Sequence, residues 1–337
     1  MAKIPVSKYP NQAGYLQFDT DTNQLEVFSD GTYKPVGPEL LQGGDYELLL
    51  DPNPITITVG PGKDFEYLDE AVWHVYKQNI WNSVYQSAEN RSHYGKKLFK
   101  IIIASDFVFD KDYRFYNMFL PNLEITQEDY TIPLMVRVPV ALTLAYGTFF
   151  RRIQLNLEGD PSYSVPVVGI YLDRYSTVNE VQISAKRFLY ALDLTYGSKI
   201  SKLIIDNATQ LERSALLLMY NCFALLDVAH ISDVGITYSY SAANGIWVNQ
   251  SDLRIYHGQN VTIDNVVSGF RIMDQGRIVI SVGNLNISNA TNGIHFPANG
   301  GSLIAKTATI TYTNVTNEIN PTTINPNEWN PDGIVII

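Results

Sequence analysis

Five polar or aromatic side chains recur at one position of a repeated four-residue pattern in the second half of the chain. They are Tyr171, Asp193, Trp247, Arg271 and His295, and Leu217 occupies this position in the third of the six copies. Aromatic rings stack on the C–H faces of sugars, while carboxylate, guanidinium and imidazole groups form directional hydrogen bonds with hydroxyls. If the repeats stack, these residues form one column with the chemistry of a carbohydrate-binding surface.

Leu217 and Met219 support a second interpretation of the same surface. The copy that contains them is apolar on both faces of its predicted strand, which is unusual for a strand that faces solvent. This favours packing against another chain at Leu217 and Met219, which would form a trimer interface if three copies assemble. The sequence leaves both interpretations, sugar contact and subunit contact, open.

Two carboxylates in the same region have the chemistry of glycosidases, in which an acid and a base or nucleophile act together. Asp173 follows the first copy of the pattern and Asp193 lies in the next copy, so stacking would bring them within several ångströms. Glu180 and Glu212 are further options, although solvated surface carboxylates are the ordinary explanation in an acidic protein. Carboxylates do not recur on three successive copies, so the sequence favours a binding protein over an enzyme.

Composition and charge restrict the possible partners. A net charge of −10 argues against binding to nucleic acid, which requires a basic surface. No apolar stretch is long enough for membrane insertion, so we expect none. The five histidines lack metal-ligand spacing, and we expect neither a metal nor a cofactor. The single cysteine, Cys222, and the lack of a signal sequence at the N-terminus predict folding in a reducing cytosol.

The repeated pattern consists of a small residue, an apolar residue, the variable position and a second apolar residue. Its copies start 22, 24, 30, 24 and 24 residues apart, at Gly169, Ala191, Ala215, Gly245, Gly269 and Gly293. On a strand the two apolar positions share one face and the variable position points to the other. A period of this size is typical of a solenoid, in which each repeat buries its apolar face against its neighbours.

Further strands in each repeat identify the class of solenoid. Apolar pairs recur in phase at 261–263 and 285–287, and a third set includes 278–280. Because Asn and Asp tolerate the left-handed backbone, we predict stacked corners at Asp206-Asn207, Ser232-Asp233, Asp264-Asn265 and Ser288-Asn289. Leucine-rich repeats have a similar period but require a consensus Asn and a helical segment that this chain lacks. We therefore predict an all-β fold, a right-handed parallel β-helix with coils of about 24 residues.

The 30-residue repeat contains an insertion of about six residues with two further tyrosines, Tyr238 and Tyr240. Loops on a rigid scaffold often carry recognition. Tyr238, Tyr240 and Trp247 could together form a platform for a sugar ring, and an ordinary surface loop is the alternative.

The chain divides into three predicted segments. Residues 1–54 contain a small hairpin, with a strand on each side of the Asp-Thr-Asn turn at 21–23, that is marginal alone and needs copies of itself or a partner. Residues 55–314 form the β-helix, which begins with a capping helix near 66–79 and has Asp64 as the N-cap of that helix. Residues 315–337 form a C-terminal extended tail.

Two stretches carry a resemblance to a known family. Gly-Tyr-Leu-Gln-Phe-Asp-Thr at 14–20 and Asn-Gln-Leu-Glu-Val-Phe at 23–28 resemble head segments of bacteriophage tail-fibre and tailspike proteins. Ile-Thr-Val-Gly-Pro-Gly-Lys-Asp-Phe at 57–65, with Leu68 and Ala71, looks like the start of the pectate-lyase-like β-helix of many tailspikes. Together these stretches cover about forty residues in addition to the repeats, and none of them is catalytic.

The resemblance implies a homotrimeric subunit of the virion tail, assembled in the host cytoplasm and acting at the outer bacterial surface. Residues 1–54 would then provide trimerisation and attachment to other tail proteins, and the β-helix would recognise a bacterial surface polysaccharide. Two alternatives stay open. One is a polysaccharide depolymerase, a hydrolase or lyase, and the other is a purely structural component that joins other tail proteins.

Overall fold

Two compact units, Met1–Leu48 and Leu49–Ile337, make up the chain in the computed structural model. The structure describes residues 3–5, 16–19, 24–29, 32–35, 54–84, 98–162, 167–235, 243–255, 258–281, 283–297, 301–305, 308–320 and 334–336. The roles predicted for residues 1–54 and 315–337 stay predictions.

The first unit contains a four-stranded antiparallel sheet. Its strands, in spatial order, are β1 (Lys3–Pro5), β2 (Leu16–Asp19), β3 (Gln24–Ser29) and β4 (Thr32–Pro35). Leu16 pairs with Val27 and Phe18 with Leu25, so the predicted hairpin is present. The two outer strands extend this hairpin into a sheet, which stabilises it because an isolated hairpin is marginal in water.

The second unit contains one helix and 22 strands within the described residues. Its first half comprises β5 (Ile55–Val59), α1 (Leu68–Val84), β6 (Phe99–Ile103), β7 (Val108–Phe109), β8 (Tyr113–Tyr116), β9 (Phe119–Gln127), β10 (Leu134–Val136), β11 (Val140–Ala145), β12 (Phe149–Gly159), β13 (Val168–Leu172), β14 (Thr177–Lys186), β15 (Tyr190–Thr195) and β16 (Lys199–Leu211). Its second half comprises β17 (Ser214–Met219), β18 (Phe223–Val234), β19 (Asn244–Asn249), β20 (Asp252–Ile255), β21 (Gly258–Met273), β22 (Arg277–Ile280), β23 (Gly283–His295), β24 (Ser302–Ile304), β25 (Ala308–Asn320) and β26 (Ile334–Ile336).

These strands wind into a parallel β-solenoid of about 8 turns with coils of about 25 residues, which confirms the predicted fold class. Three parallel ladders form its faces. Face A contains β8, β11, β13, β15, β17, β19 and the last parts of β21, β23 and β25. Face B contains β5, β6, β9, the first parts of β12, β14, β16 and β18, and then β20, β22, β24 and β26. Face C contains β7, β10, the last parts of β12, β14, β16 and β18, and the first parts of β21, β23 and β25.

The apolar positions of the repeated pattern line the interior of the solenoid. Ile246 and Val248, for example, are completely buried in the second half of the unit. The small first position has a steric reason. A Cβ atom at Gly269 would lie 2.7 Å from the carbonyl oxygen of Gly293 and 2.9 Å from Cδ1 of Ile287, closer than real Cβ contacts allow. The first position of the pattern is therefore small because little space remains where face C meets face A.

Helix α1 covers the core of the first coils. Leu68, Ala71, Val72 and Val75 are completely buried at helical spacing, and α1 packs against β5, β6, β8 and β9. The predicted capping helix is present, although it starts two residues later than expected. Asp64 does not cap it. The Asp64 carboxylate accepts hydrogen bonds from the backbone nitrogen and hydroxyl of Thr58, at 2.8 and 2.7 Å, and so holds the turn after β5.

The corner between faces C and A, which we call the Asn corner, contains left-handed polar residues. Asp233, Asn265, Asn289 and Asn314 have φ angles of 55°, 51°, 51° and 54°. Their side chains connect successive coils, since Asn265 Nδ2 donates to Asp233 Oδ1 at 2.8 Å and Asn314 Nδ2 donates to Asn289 Oδ1 at 3.1 Å. These corners stack as predicted.

One predicted corner was wrong. The strand register places Thr209 beside Ser232, so Gln210 with φ 54° holds the position that we assigned to the Asp206-Asn207 pair. The pairing between β16 and β18 shifts register between Ile205 and Ala208, and this irregularity moves the corner along the chain.

Candidate functional site

The variable positions of the pattern form one column on the outer side of face A. Backbone pairing places each residue beside the next in the order Tyr171, Asp193, Leu217, Trp247, Arg271 and His295. All of them except Leu217 are partly exposed. The stacking follows the expected period, whereas the glycan-binding roles of these residues stay predictions.

Trp247, Arg271 and His295 form the end of the column nearest the C-terminus. The Arg271 guanidinium lies 5.0 Å from the centre of the Trp247 ring, a cation–π contact. Burial lowers the pKa of Arg271, and burial together with the positive charge of Arg271 lowers the pKa of His295. His295 is therefore neutral near pH 7, and its imidazole can both donate and accept a hydrogen bond.

Two polar atoms of the column are buried without a hydrogen-bond partner in the part of the chain that the structure describes. They are Nε1 of Trp247 and Oδ1 of Asp193, and Leu217 lies between the two residues in the register. An unsatisfied buried polar atom costs about 1–3 kcal/mol. The donor and the acceptor are therefore the polar groups of the column whose hydrogen bonding the described residues leave incomplete.

Asp173 and Asp193 lie on adjacent coils and have different environments. Asp173 accepts a hydrogen bond from Thr195 Oγ1 at 3.0 Å, and its Oδ2 lies 3.5 Å from Nε of Arg174. Burial, and to a lesser degree the charge of Asp173, raise the pKa of Asp193 to about 7. The Tyr171 hydroxyl lies 3.1 Å from the same Thr195 oxygen. A protonated carboxyl on one coil and an ion-paired carboxylate on the next form the pattern of an acid–base pair.

Leu217 and Met219 differ in how much surface they leave for a partner. Leu217 is only 4 % exposed, so the chain itself covers this outward residue, while Met219 is partly buried. A trimer interface centred on them stays a prediction, and Leu217 itself has little surface to contribute.

Tyr238 and Tyr240 lie outside the described residues. The platform that we predicted for them with Trp247 therefore stays a prediction.

A second corner, between faces A and B, presents exposed tyrosines that sequence reasoning missed. We call it the tyrosine corner. Its members Tyr146, Tyr175, Tyr196 and Tyr220 have φ angles of 55°, 66°, 49° and 63° and are 47, 75, 50 and 38 % exposed. The left-handed conformation costs about 1–2 kcal/mol per residue for most side chains, and tyrosine lacks the local hydrogen bonds by which Asn offsets this cost.

The aromatic rings of the tyrosine corner stack along the solenoid. The rings of Tyr196 and Tyr220 are almost parallel, at 13°, with their centroids 5.1 Å apart. Further toward the N-terminus, the Arg174 guanidinium lies 4.5 Å from the centre of the Tyr146 ring, and Tyr116 meets Tyr146 edge-on at 5.7 Å. The result is an exposed ridge of rings.

A polar cleft of about 690 Å³ lies beyond the last ring of this ridge. Its lining residues are Asn221, Cys222, Phe223, Gln250, Ser251, Asp252, Asp274 and Gln275. Asn221, Gln250, Asp274 and Gln275 have positive φ angles like the tyrosines, so the cleft belongs to the same corner and extends from the coil of Tyr220 to the second coil after it. The volume lies within the range of small-molecule binding sites.

A sequence signal for the tyrosine corner exists. Tyr146, Tyr196 and Tyr220 each stand two residues after the second buried apolar position of the pattern or its equivalent, which is Leu144, Leu194 or Leu218. Arg174, Gln250 and Asp274 occupy the same offset in the other coils. Aligning the repeats beyond the fourth residue of the pattern would have revealed this position.

Comparison with known proteins assigns the chain to no family, since it found no match to a protein family, to a curated protein or to a solved structure. Among the residues that the structure describes, no group of three or more His, Cys, Asp or Glu side chains could hold a metal ion. No described helix has the length and apolar character that crossing a membrane requires. The column, the ridge and the cleft are the candidate binding features of the described residues.

Proposed function

We propose that this chain is a homotrimeric subunit of a bacteriophage tail fibre or tailspike that recognises a bacterial surface polysaccharide. Support comes from the resemblance of the stretches 14–28 and 57–65 to such proteins and from the parallel β-solenoid, a rigid scaffold that presents repeated side chains on its faces. In this proposal residues 1–54 attach to other tail proteins, and the solenoid meets the glycan at the outer bacterial surface.

The observation that carries the proposal is the column on face A. Its register brings Tyr171, Asp193, Trp247, Arg271 and His295 into one line on a partly exposed surface. Two rings that can accept sugar C–H groups, Tyr171 and Trp247, thus share the column with groups that bond hydroxyls. A linear polysaccharide extends over several sugar rings, so a column of this kind can contact it at several points.

Replacement of Trp247 tests the proposal. We expect Trp247→Ala to weaken retention on immobilised polysaccharide from candidate hosts by about 1–3 kcal/mol, the contribution of a large aromatic contact. Folding should persist, because the interior of face A is not altered. Trp73→Ala is the matched control, since Trp73 lies on helix α1 and is 48 % exposed. Unchanged retention together with a lower melting temperature would show that Trp247 packs rather than binds.

The assembly is tested separately by light scattering coupled to size exclusion. We expect a mass close to three times that of the 37.9 kDa chain. A monomer mass at micromolar concentration would contradict the trimer.

A polysaccharide depolymerase is the second candidate, and the environment of Asp193 favours it. A carboxyl with a pKa of about 7 can act as a general acid, while Asp173, held by Thr195 and Arg174, can act as a base or nucleophile. The test is the release of new reducing ends, or of unsaturated sugar ends for a lyase, from retained polysaccharide. For the hydrolase, Asp193→Asn and Asp173→Asn should abolish release, exposed Asp106→Asn should not, and activity should decline above about pH 7. Retention without either product would exclude the enzyme, and neither retention nor product would favour the purely structural role.

A further inference from the structure

The ring stack of the tyrosine corner ends at Tyr220, whose neighbour in the chain, Asn221, lines the cleft. Tyr196 covers one face of Tyr220, and the small angle between the two rings turns the other face of Tyr220 along the solenoid toward the next coil. In that coil the equivalent position is Gln250, which has no ring to continue the stack. Tyr220 is 38 % exposed.

The corner backbone does not require tyrosine at these positions. Arg174, Gln250 and Asp274 occupy the equivalent position in other coils with φ angles of 49°, 47° and 47°. At the Asn corner, four left-handed positions hold Asn or Asp, and the amides of Asn265 and Asn314 form hydrogen bonds between coils. A strained, exposed ring where smaller polar residues suffice indicates a contact outside the chain.

The cleft beyond Tyr220 supplies the groups that would surround a sugar ring. The amides of Asn221 and Gln250 are exposed, and each can donate and accept hydrogen bonds. The Asp252 carboxylate is partly exposed and can accept from hydroxyls, and the Phe223 ring adds an apolar surface. Sugar hydroxyls both donate and accept, so this mixture matches a carbohydrate better than it matches a dry protein interface.

We infer that the cleft binds one pyranose ring of a linear glycan, stacked on the other face of Tyr220 as a continuation of the tyrosine stack. This inference rests on the proposed recognition of a polysaccharide and assigns it a second contact, at the corner rather than on face A. The amides of Asn221 and Gln250 then hold the sugar hydroxyls.

The experiment uses the full chain and two kinds of probe. The first is a panel of methyl pyranosides, among them those of glucose, galactose, rhamnose and N-acetylglucosamine, observed by saturation-transfer NMR. The second is immobilised polysaccharide from candidate hosts. Tyr220→Asn keeps a residue that tolerates φ 63° and removes the ring, and we expect it to abolish saturation transfer and to lower polysaccharide affinity at least tenfold. Tyr220→Phe should bind within twofold of the unmodified chain, because the ring face and not the hydroxyl makes the contact.

Tyr146→Asn is the matched control, since it removes an exposed left-handed tyrosine from the same corner but from a coil that does not border the cleft. We expect no change in binding. An equal loss of binding in Tyr146→Asn and Tyr220→Asn would contradict sugar binding in the cleft and indicate a general effect of the ridge. A change in oligomer mass in Tyr220→Asn would instead assign the ring to a subunit contact.

The two probes separate this inference from the proposed function. If Tyr220→Asn leaves polysaccharide retention intact, sugar binding in the cleft is contradicted while the proposed function stands. If pyranoside binding depends on Tyr220 but no polysaccharide is retained, sugar binding in the cleft is supported and the proposed recognition of a polysaccharide is contradicted. Absence of binding to both probes would overturn both.

Discussion

Two corners of the same solenoid use the same backbone conformation with different residues. At the Asn corner, Asn265 and Asn289 have φ angles near 51°, and at the tyrosine corner Tyr196 and Tyr220 have 49° and 63°. The amides of the Asn corner form hydrogen bonds from coil to coil. The tyrosine corner instead stacks exposed rings on one another.

The difference separates a structural corner from a functional one. Asn tolerates the left-handed region and satisfies its own neighbours, so nothing outside the chain is needed to explain it. Tyrosine gains no comparable local hydrogen bond in that conformation, and half of its surface stays in water. Strain that the local structure does not compensate tends to mark binding sites.

The largest effect is expected from breaking the Asn corner. Asn265→Val should lower the free energy of unfolding by about 3 kcal/mol, because a β-branched side chain is strongly disfavoured at positive φ and the bond to Asp233 is lost. Denaturant unfolding measures the change. Asn265→Gly is the control, which loses the bond but keeps the conformation, and it should cost about 1 kcal/mol. Equal losses in both variants would show that the backbone conformation contributes little.

The next effect concerns face A between the two corners and depends on pH. Because the pKa of Asp193 is raised from 3.8 to about 7 in the folded chain, the folded state holds a proton that the unfolded state releases. The stability of the unmodified chain should therefore decline as pH rises from about 4 through about 7. Asp193→Asn removes this dependence, so it should be more stable relative to the unmodified chain at pH 8 than at pH 4. The full pKa shift corresponds to about 4 kcal/mol, and the partial exposure of Asp193 reduces the expected difference to roughly 2 kcal/mol.

Thermal unfolding of both proteins across this pH range measures the Asp193 difference. A pH-independent difference would mean that the Asp193 carboxyl is better solvated than its surroundings indicate.

The smallest effect on stability is expected at the tyrosine corner. Tyr196→Asn should change the free energy of unfolding by no more than about 0.5 kcal/mol, because relief of the left-handed strain offsets the lost ring stacking with Tyr220. Chemical denaturation next to Asn265→Val provides the contrast between the two corners. A loss above about 1.5 kcal/mol would show that the ring stack stabilises the solenoid and would remove the argument from strain.

Most of the fold follows from the repeat. The apolar positions that flank Tyr171 and Trp247 recur with a period near 24 residues, and each repeat can bury them only against its neighbours. The capping helix was predicted because Leu68, Ala71, Val72 and Val75 have helical spacing. The N-cap at Asp64 was wrong because Thr58, six residues earlier in the chain, binds that carboxylate.

The candidate site was predicted only in part. The column on face A follows from the period, because the register places the variable residue of each copy, such as Leu217, beside that of the next copy. That Leu217 is almost completely buried was not predictable, since burial of an outward residue depends on side chains from neighbouring coils. The tyrosine corner was missed because a left-handed tyrosine contradicts the usual preference for Gly, Asn or Asp at such turns.

The sequence by itself determined the class of fold, the three-stranded coil, the column on face A and the Asn corner, because these depend on spacing and on the preferences of single residues. Only the tertiary structure decided that Tyr196 and Tyr220 stack 5.1 Å apart, that a cleft follows them, and that the pKa of Asp193 rises to about 7. The physical reason is that ring stacking, cavity shape and desolvation are properties of residues about one coil apart, and they exist only once the coils lie on top of one another.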